Sequence, residues 1–184
     1  MLRWISVALA GAVICTALDH LHATHGVLAY AHVAFWAQAW WVPLNFFLAT
    51  LAAVGGARMT RGFFGAKPII PNEPKLIAAD GLAFAAAYAM TSLTYEAPTT
   101  TLLVLVACWL CRMLLGAPKW VVVQSLLVAL VGPLVEAAIS STGTFAYEHP
   151  DALLVTRWLP GIYLFVGPIS ARLEAVCTGP VDSP

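Results

Sequence analysis

The chain has 184 residues, of which 61% are hydrophobic and 10% charged, and its formal net charge is zero. A water-soluble domain of this size cannot hide so much apolar surface in one core, whereas a bilayer removes the need. The charge balance leaves no footprint for nucleic acid, and no long polar or charged linker divides the chain, so it reads as one polytopic membrane domain.

Apolar runs predict six transmembrane helices at roughly Leu2–Leu18, Trp36–Val54, Leu76–Leu93, Thr99–Leu115, Trp120–Ile139 and Leu153–Leu173. Each is about the length a helix needs to cross some 30 Å of hydrocarbon, the fourth being short. The runs are continuously apolar rather than alternating, which favours helices over barrel strands and gives an all-α membrane protein. The first run also resembles a signal peptide, with Arg3 before a short apolar stretch, and is read as a retained helix. An even number of spans puts both termini on one side. Arg3, Arg58, Arg61, Lys67, Lys75, Arg112, Lys119 and Arg172 share that side, and Arg157 alone lies opposite. The positive-inside rule then makes both termini cytoplasmic.

The end of the first span reads "DHLHATH" at positions 19–25, and the opposite face also receives Glu96, Glu148, Asp151 and the remaining histidines. Asp19, His20, His22 and His25 are the candidates for a membrane enzyme or a metal centre. No H-E-x-x-H or paired acid motif accompanies them, and on a helix His20 and His22 point to nearly opposite sides. The cluster therefore reads as the polar rim of a helix leaving the membrane, with no metal expected. The second span opens with "AWWVP", where Pro43 falls early in the helix. Trp40 and Trp41, with Trp158 at similar depth, fit an interfacial aromatic belt.

In the third span Asp80, Phe84, Tyr88 and Ser92 recur at intervals of four and form one stripe among alanines. That stripe can line a pocket, with Asp80 or Ser92 as the polar contact, or form an ordinary interhelical seam. Cys108 and Cys111 in the fourth span have C-x-x-C spacing but no accompanying ligand set, and read as small hydrophobes. Glu136, late in the fifth span, and Arg157, early in the sixth, fall at similar depth and are candidates for an ion pair. Gly132-Pro133 and the sixth span's Pro160 and Pro168 predict kinks. Small faces such as Gly11 and Ala87 favour self-association, as a dimer or trimer.

The stretch "GTFAYEHPDALLVTRWLPGIYLFVGPISARL" resembles the last luminal loop and sixth helix of the Insig family, the sterol-responsive endoplasmic reticulum proteins. Gly143, Tyr147, Pro150, Asp151, Leu153, Val155, Trp158, Leu159, Pro160 and Ile162 match its pattern at unbroken spacing, and Phe145 stands where the pattern has Tyr. "AWWVP" looks like the same family's second-helix start, and six spans with cytoplasmic termini agree. The resemblance implies one Insig-like domain over residues 1–184, a sensor without catalytic activity or cofactor. Such a protein binds an oxysterol within the membrane and holds Scap or a sterol-synthesis reductase. It places the ligand at the third and fourth helices, with Phe84, Thr101 and Trp109 as counterparts and Tyr88 beside them. Trp41, Pro43, Trp158 and Pro160 would shape the helix starts. The family carries an acidic residue after its fourth helix, whereas this chain has no Asp or Glu between Glu96 and Glu136, which speaks against a Scap-like partner. Abundant Ala, Gly and Val point to a bacterial homologue in the inner membrane. A diacylglycerol-like lipid or a hopanoid then suits the cavity as well as an oxysterol; in a eukaryote the location would be the endoplasmic reticulum.

Overall fold

The computed structural model describes residues 1–69 and 74–179. Six helices follow in chain order: α1 (Leu2–Thr24), α2 (Val42–Phe63), α3 (Pro74–Thr94), α4 (Pro98–Leu114), α5 (Lys119–Ser140) and α6 (Leu159–Thr178). Four of them, α1, α2, α3 and α5, are long and apolar enough to cross a membrane, and α4 is an apolar helix of 17 residues. The protein is an all-α membrane protein. Hydropathy did not disclose two short strands, β1 (Leu28–Tyr30) and β2 (Phe145–Tyr147), which pair antiparallel with Leu28 opposite Tyr147 and Tyr30 opposite Phe145. Three-residue strands carry too little pattern to stand out in a sequence.

Helix boundaries depart from the apolar runs because the punctuation is set by Gly and Pro rather than by hydropathy. The first helix continues past Leu18 to Thr24, so Asp19, His20 and His22 are helical. It stops where Gly26 adopts a left-handed φ of 72° and the Val27 N–H reaches back to the His22 carbonyl at 2.9 Å, a Schellman end. Helix α2 ends the same way at Gly65, with the Ala66 N–H on the Arg61 carbonyl. Pro43 and Pro160 lie in the first turn of α2 and α6, where the missing N–H had no intrahelical partner. Those two helices therefore begin six residues later than expected. Pro160 starts a helix instead of kinking one, whereas Pro133 and Pro168 lie inside α5 and α6.

The last helix is the central post. It packs against all five others, and twelve of its 20 residues are buried against four of 22 in α2. Gly167, Ala171 and Ala175, one turn apart, let neighbouring backbones approach closely. A Cβ on Gly167 would come within 2.6 Å of the Ser125 Cα on α5, and one on Gly161 within 2.8 Å of Leu105 on α4. The small residues expected to serve self-association are likewise used within the chain: Gly11 faces the Thr50 side chain on α2, and Ala87 is buried in the core.

Candidate functional site

At the end of the bundle where β1 and β2 meet, side chains from five helices converge under the two-stranded ribbon. The cavity they enclose, about 30 Å³, is lined by Asp19 and His22 of α1, Tyr88 of α3, Glu136 of α5, and Tyr30 and Tyr147 of the ribbon, with apolar residues between them. Trp41, Val42, Asn45 and Phe46 at the start of α2, and Leu159 at the start of α6, complete the wall. Asn45, Phe46, Glu136 and Ile139 are half-buried and form a rim between α2 and α5.

No Lys or Arg lines this chamber, so its carboxylates depend on hydrogen-bond donors. The Tyr30 hydroxyl donates to Asp19 Oδ2 at 2.6 Å, and the Gln38 amide donates to the same oxygen at 2.7 Å. Glu136 accepts one hydroxyl on each oxygen, from Tyr147 and, at 2.5 Å, from Tyr163. Such charge-assisted bonds are roughly twice as strong as neutral ones. Tyr163 can lie flat on α5 because Gly132 has no side chain; a Cβ there would overlap its ring. Burial, and then the neighbouring carboxylates, push the phenols of Tyr30 and Tyr147 above their ordinary range, which keeps them protonated as donors.

His22 sits 2% exposed among these groups, with its ring stacked 4.7 Å from Tyr88 and tilted against Trp158 at 5.4 Å. Thr91 gives its single hydroxyl proton to the Tyr88 carbonyl, so at 2.9 Å it must accept from His22 Nε2–H. That leaves Nδ1 an acceptor. The Trp158 indole N–H, also buried beside His22, has no partner among the described residues.

Gln38 reaches Asp19 from a strained turn. Phe35 and Gln38 exchange backbone hydrogen bonds around Trp36 and Ala37, whose φ angles are 46° and 56°. Two consecutive left-handed residues make a type I′ geometry normally given to Asn-Gly. Gln38 is fully buried and also holds the Thr16 carbonyl at 2.9 Å.

These placements revise the reading of "DHLHATH". Its residues are not one rim: Asp19 and His22 face inward, while His20 donates from Nδ1 to the Trp36 carbonyl and His25 to the Leu21 carbonyl. Among the described residues no three of His, Cys, Asp and Glu converge on a position that could hold a metal. Glu136 does not pair with Arg157. Its tyrosines occupy it, and Arg157 turns to Asp151 at 3.0 Å and to Thr99. Trp158 is no belt residue but fully buried, whereas Trp40 is 70% exposed.

Of the candidates on α3 and α4, only Tyr88 lines the chamber. Phe84 meets Tyr88 edge-on at 5.3 Å. The Ser92 hydroxyl bonds back to the Tyr88 carbonyl, and Thr101 bonds to Thr94. Trp109 is buried in the core. Asp80 lies at the other end of the bundle, gripped by Arg112 at 2.7 Å and Arg172 at 3.2 Å. Cys108 and Cys111 are exposed free thiols on the outside of α4.

No protein-family model and no curated protein sequence matches this chain. Two crystal structures share its fold. A mycobacterial Insig homologue, MvINS from Mycobacterium vanbaalenii, superposes with a TM-score of 0.82 at 22% identity, over 100% of this chain and 98% of that one. A cross-linked trimer of MvINS gives 0.80 at the same identity, over 95% and 93%. The order and packing of six apolar helices around α6 are thus those of an Insig-like protein, and the chain has the Insig fold.

Proposed function

We propose that the chain is a non-enzymatic lipid-binding sensor of the Insig type, which holds the polar end of an oxysterol- or diacylglycerol-like amphiphile in the roofed chamber. The observation that carries this reading is a hydrogen-bonding chamber enclosed by apolar helices, with a half-buried rim between α2 and α5. A cavity of about 30 Å³ has room for roughly two waters. It suits a hydroxyl-bearing head, while the apolar body lies along the α2–α5 seam as those helices part. Asp19 and the unprotonated nitrogen of His22 accept from the ligand, and Tyr88 packs on it. Phe84 supports Tyr88, Ser92 bonds to its carbonyl, and Asp80, Thr101 and Trp109 hold α3 and α4 in register behind it. Affinity comes from buried apolar area with a few hydrogen bonds, and no covalent step is involved.

The trimer formed by MvINS supports a homo-oligomer here, a trimer before a dimer. The concentration of basic residues at one end of the bundle supports cytoplasmic termini in a bacterial inner membrane. A Scap-like partner has no part in this reading, because the loop after α4 lacks the acid that the Insig resemblance would require. Mass spectrometry of lipid extracted with the purified protein, with thermal shifts in oxysterol, diacylglycerol and a hopanoid, tests it. The expected result is stabilisation by at least one of these, reduced in Tyr88→Ala and His22→Ala. A protein indifferent to all three, or equally stabilised in both variants, would refute it.

A further inference from the structure

The opposite end of the bundle carries a second polar cluster that the chamber does not use. Asp80, in the second turn of α3, is 3% exposed and accepts from two guanidiniums. Arg112, in the last turn of α4, grips it with two bonds, Nε to Oδ1 at 2.7 Å and Nη2 to Oδ2 at 3.1 Å. Arg172 of α6 adds Nε to Oδ2 at 3.2 Å. Nearby on α6, Glu174 is fully buried and takes both its bonds from Arg61, at 2.9 and 3.2 Å. Among the described residues three guanidiniums therefore face two carboxylates, and one positive charge is left at the shared Asp80.

The surplus is directional. Arg112 turns one edge of its fork to Asp80, which leaves Nη1; Arg172 uses only Nε, which leaves both terminal nitrogens. Among the described residues no acceptor reaches these groups. Side-chain exposures of 28% for Arg112 and 12% for Arg172 leave a narrow approach. Asp80 is six residues from the start of α3 and Arg172 six from the end of α6. At 1.5 Å per residue both lie about 9 Å inside the helix ends, a depth from which long arginine side chains snorkel towards the head groups. Two guanidinium forks held in place by a buried carboxylate recognise the tetrahedral oxygens of phosphate better than a single carboxylate or a mobile Lys.

We propose that Arg112 and Arg172, positioned by Asp80, bind the phosphodiester of an anionic membrane lipid at this end of the bundle. The site is separate from the chamber and does not depend on how the chamber functions.

Native mass spectrometry of the full chain, released from neutral detergent and titrated with phosphatidylglycerol or phosphatidylcholine, tests it. Phosphatidylglycerol should bind about tenfold more tightly than phosphatidylcholine, and Arg112→Gln or Arg172→Gln should each remove that preference, as loss of one charged hydrogen bond predicts. Arg58→Gln, an exposed arginine on α2 outside the cluster, should retain it. Where a Gln variant fails to fold, Arg172→Lys and Arg112→Lys keep the charge beside Asp80 and lose the fork, and a folded Lys variant should still lose most of the preference. Equal binding of the two lipids, an equal loss in Arg58→Gln, or full preference in both Lys variants would overturn the proposal. Displacement of phosphatidylglycerol by an equal concentration of inorganic phosphate would overturn the lipid as the source of the phosphate.

Discussion

His20 and His22 differ by two positions, or about 200° around a helix, and that angle places one ring in the chamber and the other against the Trp36 carbonyl. Tyr147 and Tyr163 show why Glu136 tolerates its place without a cation: each oxygen receives a phenolic proton. Tyr147→Phe removes one donor and should cost about 1–3 kcal/mol, read as a thermal midpoint lower by roughly 2–4 °C per kcal/mol in detergent. The raised phenol of Tyr30 sets the sign of an alkaline effect. Its contribution is complete below the ordinary phenol pKa of about 10 and is lost as pH rises beyond it. Melts between pH 8 and 11 should therefore fall less steeply in Tyr30→Phe than in the wild type. Ala37 carries a left-handed φ of 56°, so Ala37→Gly should stabilise by roughly 0.5–1 kcal/mol, net of the added chain entropy.

At the scale of elements, Gly and Pro matter by position rather than by presence. Pro160 begins α6, and Pro160→Ala should change stability by less than about 1 kcal/mol because no intrahelical bond is restored. Gly167→Ala should cost about 1–3 kcal/mol, since its Cβ meets the Ser125 backbone at 2.6 Å and only helix separation relieves it. Gly132→Ala meets the Tyr163 ring instead, so its effect should include the loss of a donor to Glu136; in a Tyr163→Phe background that part disappears and only the clash with the ring remains. Thermal melts of these variants and the double variant order the three positions. Gly26 and Gly65 ended α1 and α2 in plain view. A reading by punctuation rather than hydropathy would have kept Asp19 and His22 on the helix.

Across the whole molecule, the central helix carries two opposite charges, Arg172 and Glu174, in its second half. Arg172 and Glu174 are carried by α6 because α2, α3 and α4 supply Arg61, Asp80 and Arg112 around it. Breaking the pair from inside, as in Glu174→Ala, should cost about 3–5 kcal/mol by leaving Arg61 unpaired. The melting temperature of that variant, against Arg61→Ala and the double variant, isolates the pair. The sequence by itself determined the membrane class, the number of apolar helices and the motif-level likeness to Insig, because hydropathy and Gly-Trp-Pro spacing are local and cumulative. Only the tertiary structure decided that α6 is central, that Leu28–Tyr30 and Phe145–Tyr147 pair as a ribbon across most of the chain, and that Glu136 meets tyrosines rather than Arg157. It also brought Asp19 and His22 together with Tyr88 and Glu136 around one small cavity. A buried polar group is recognised by what surrounds it, and those partners come from other helices, at separations on which a one-dimensional pattern is silent.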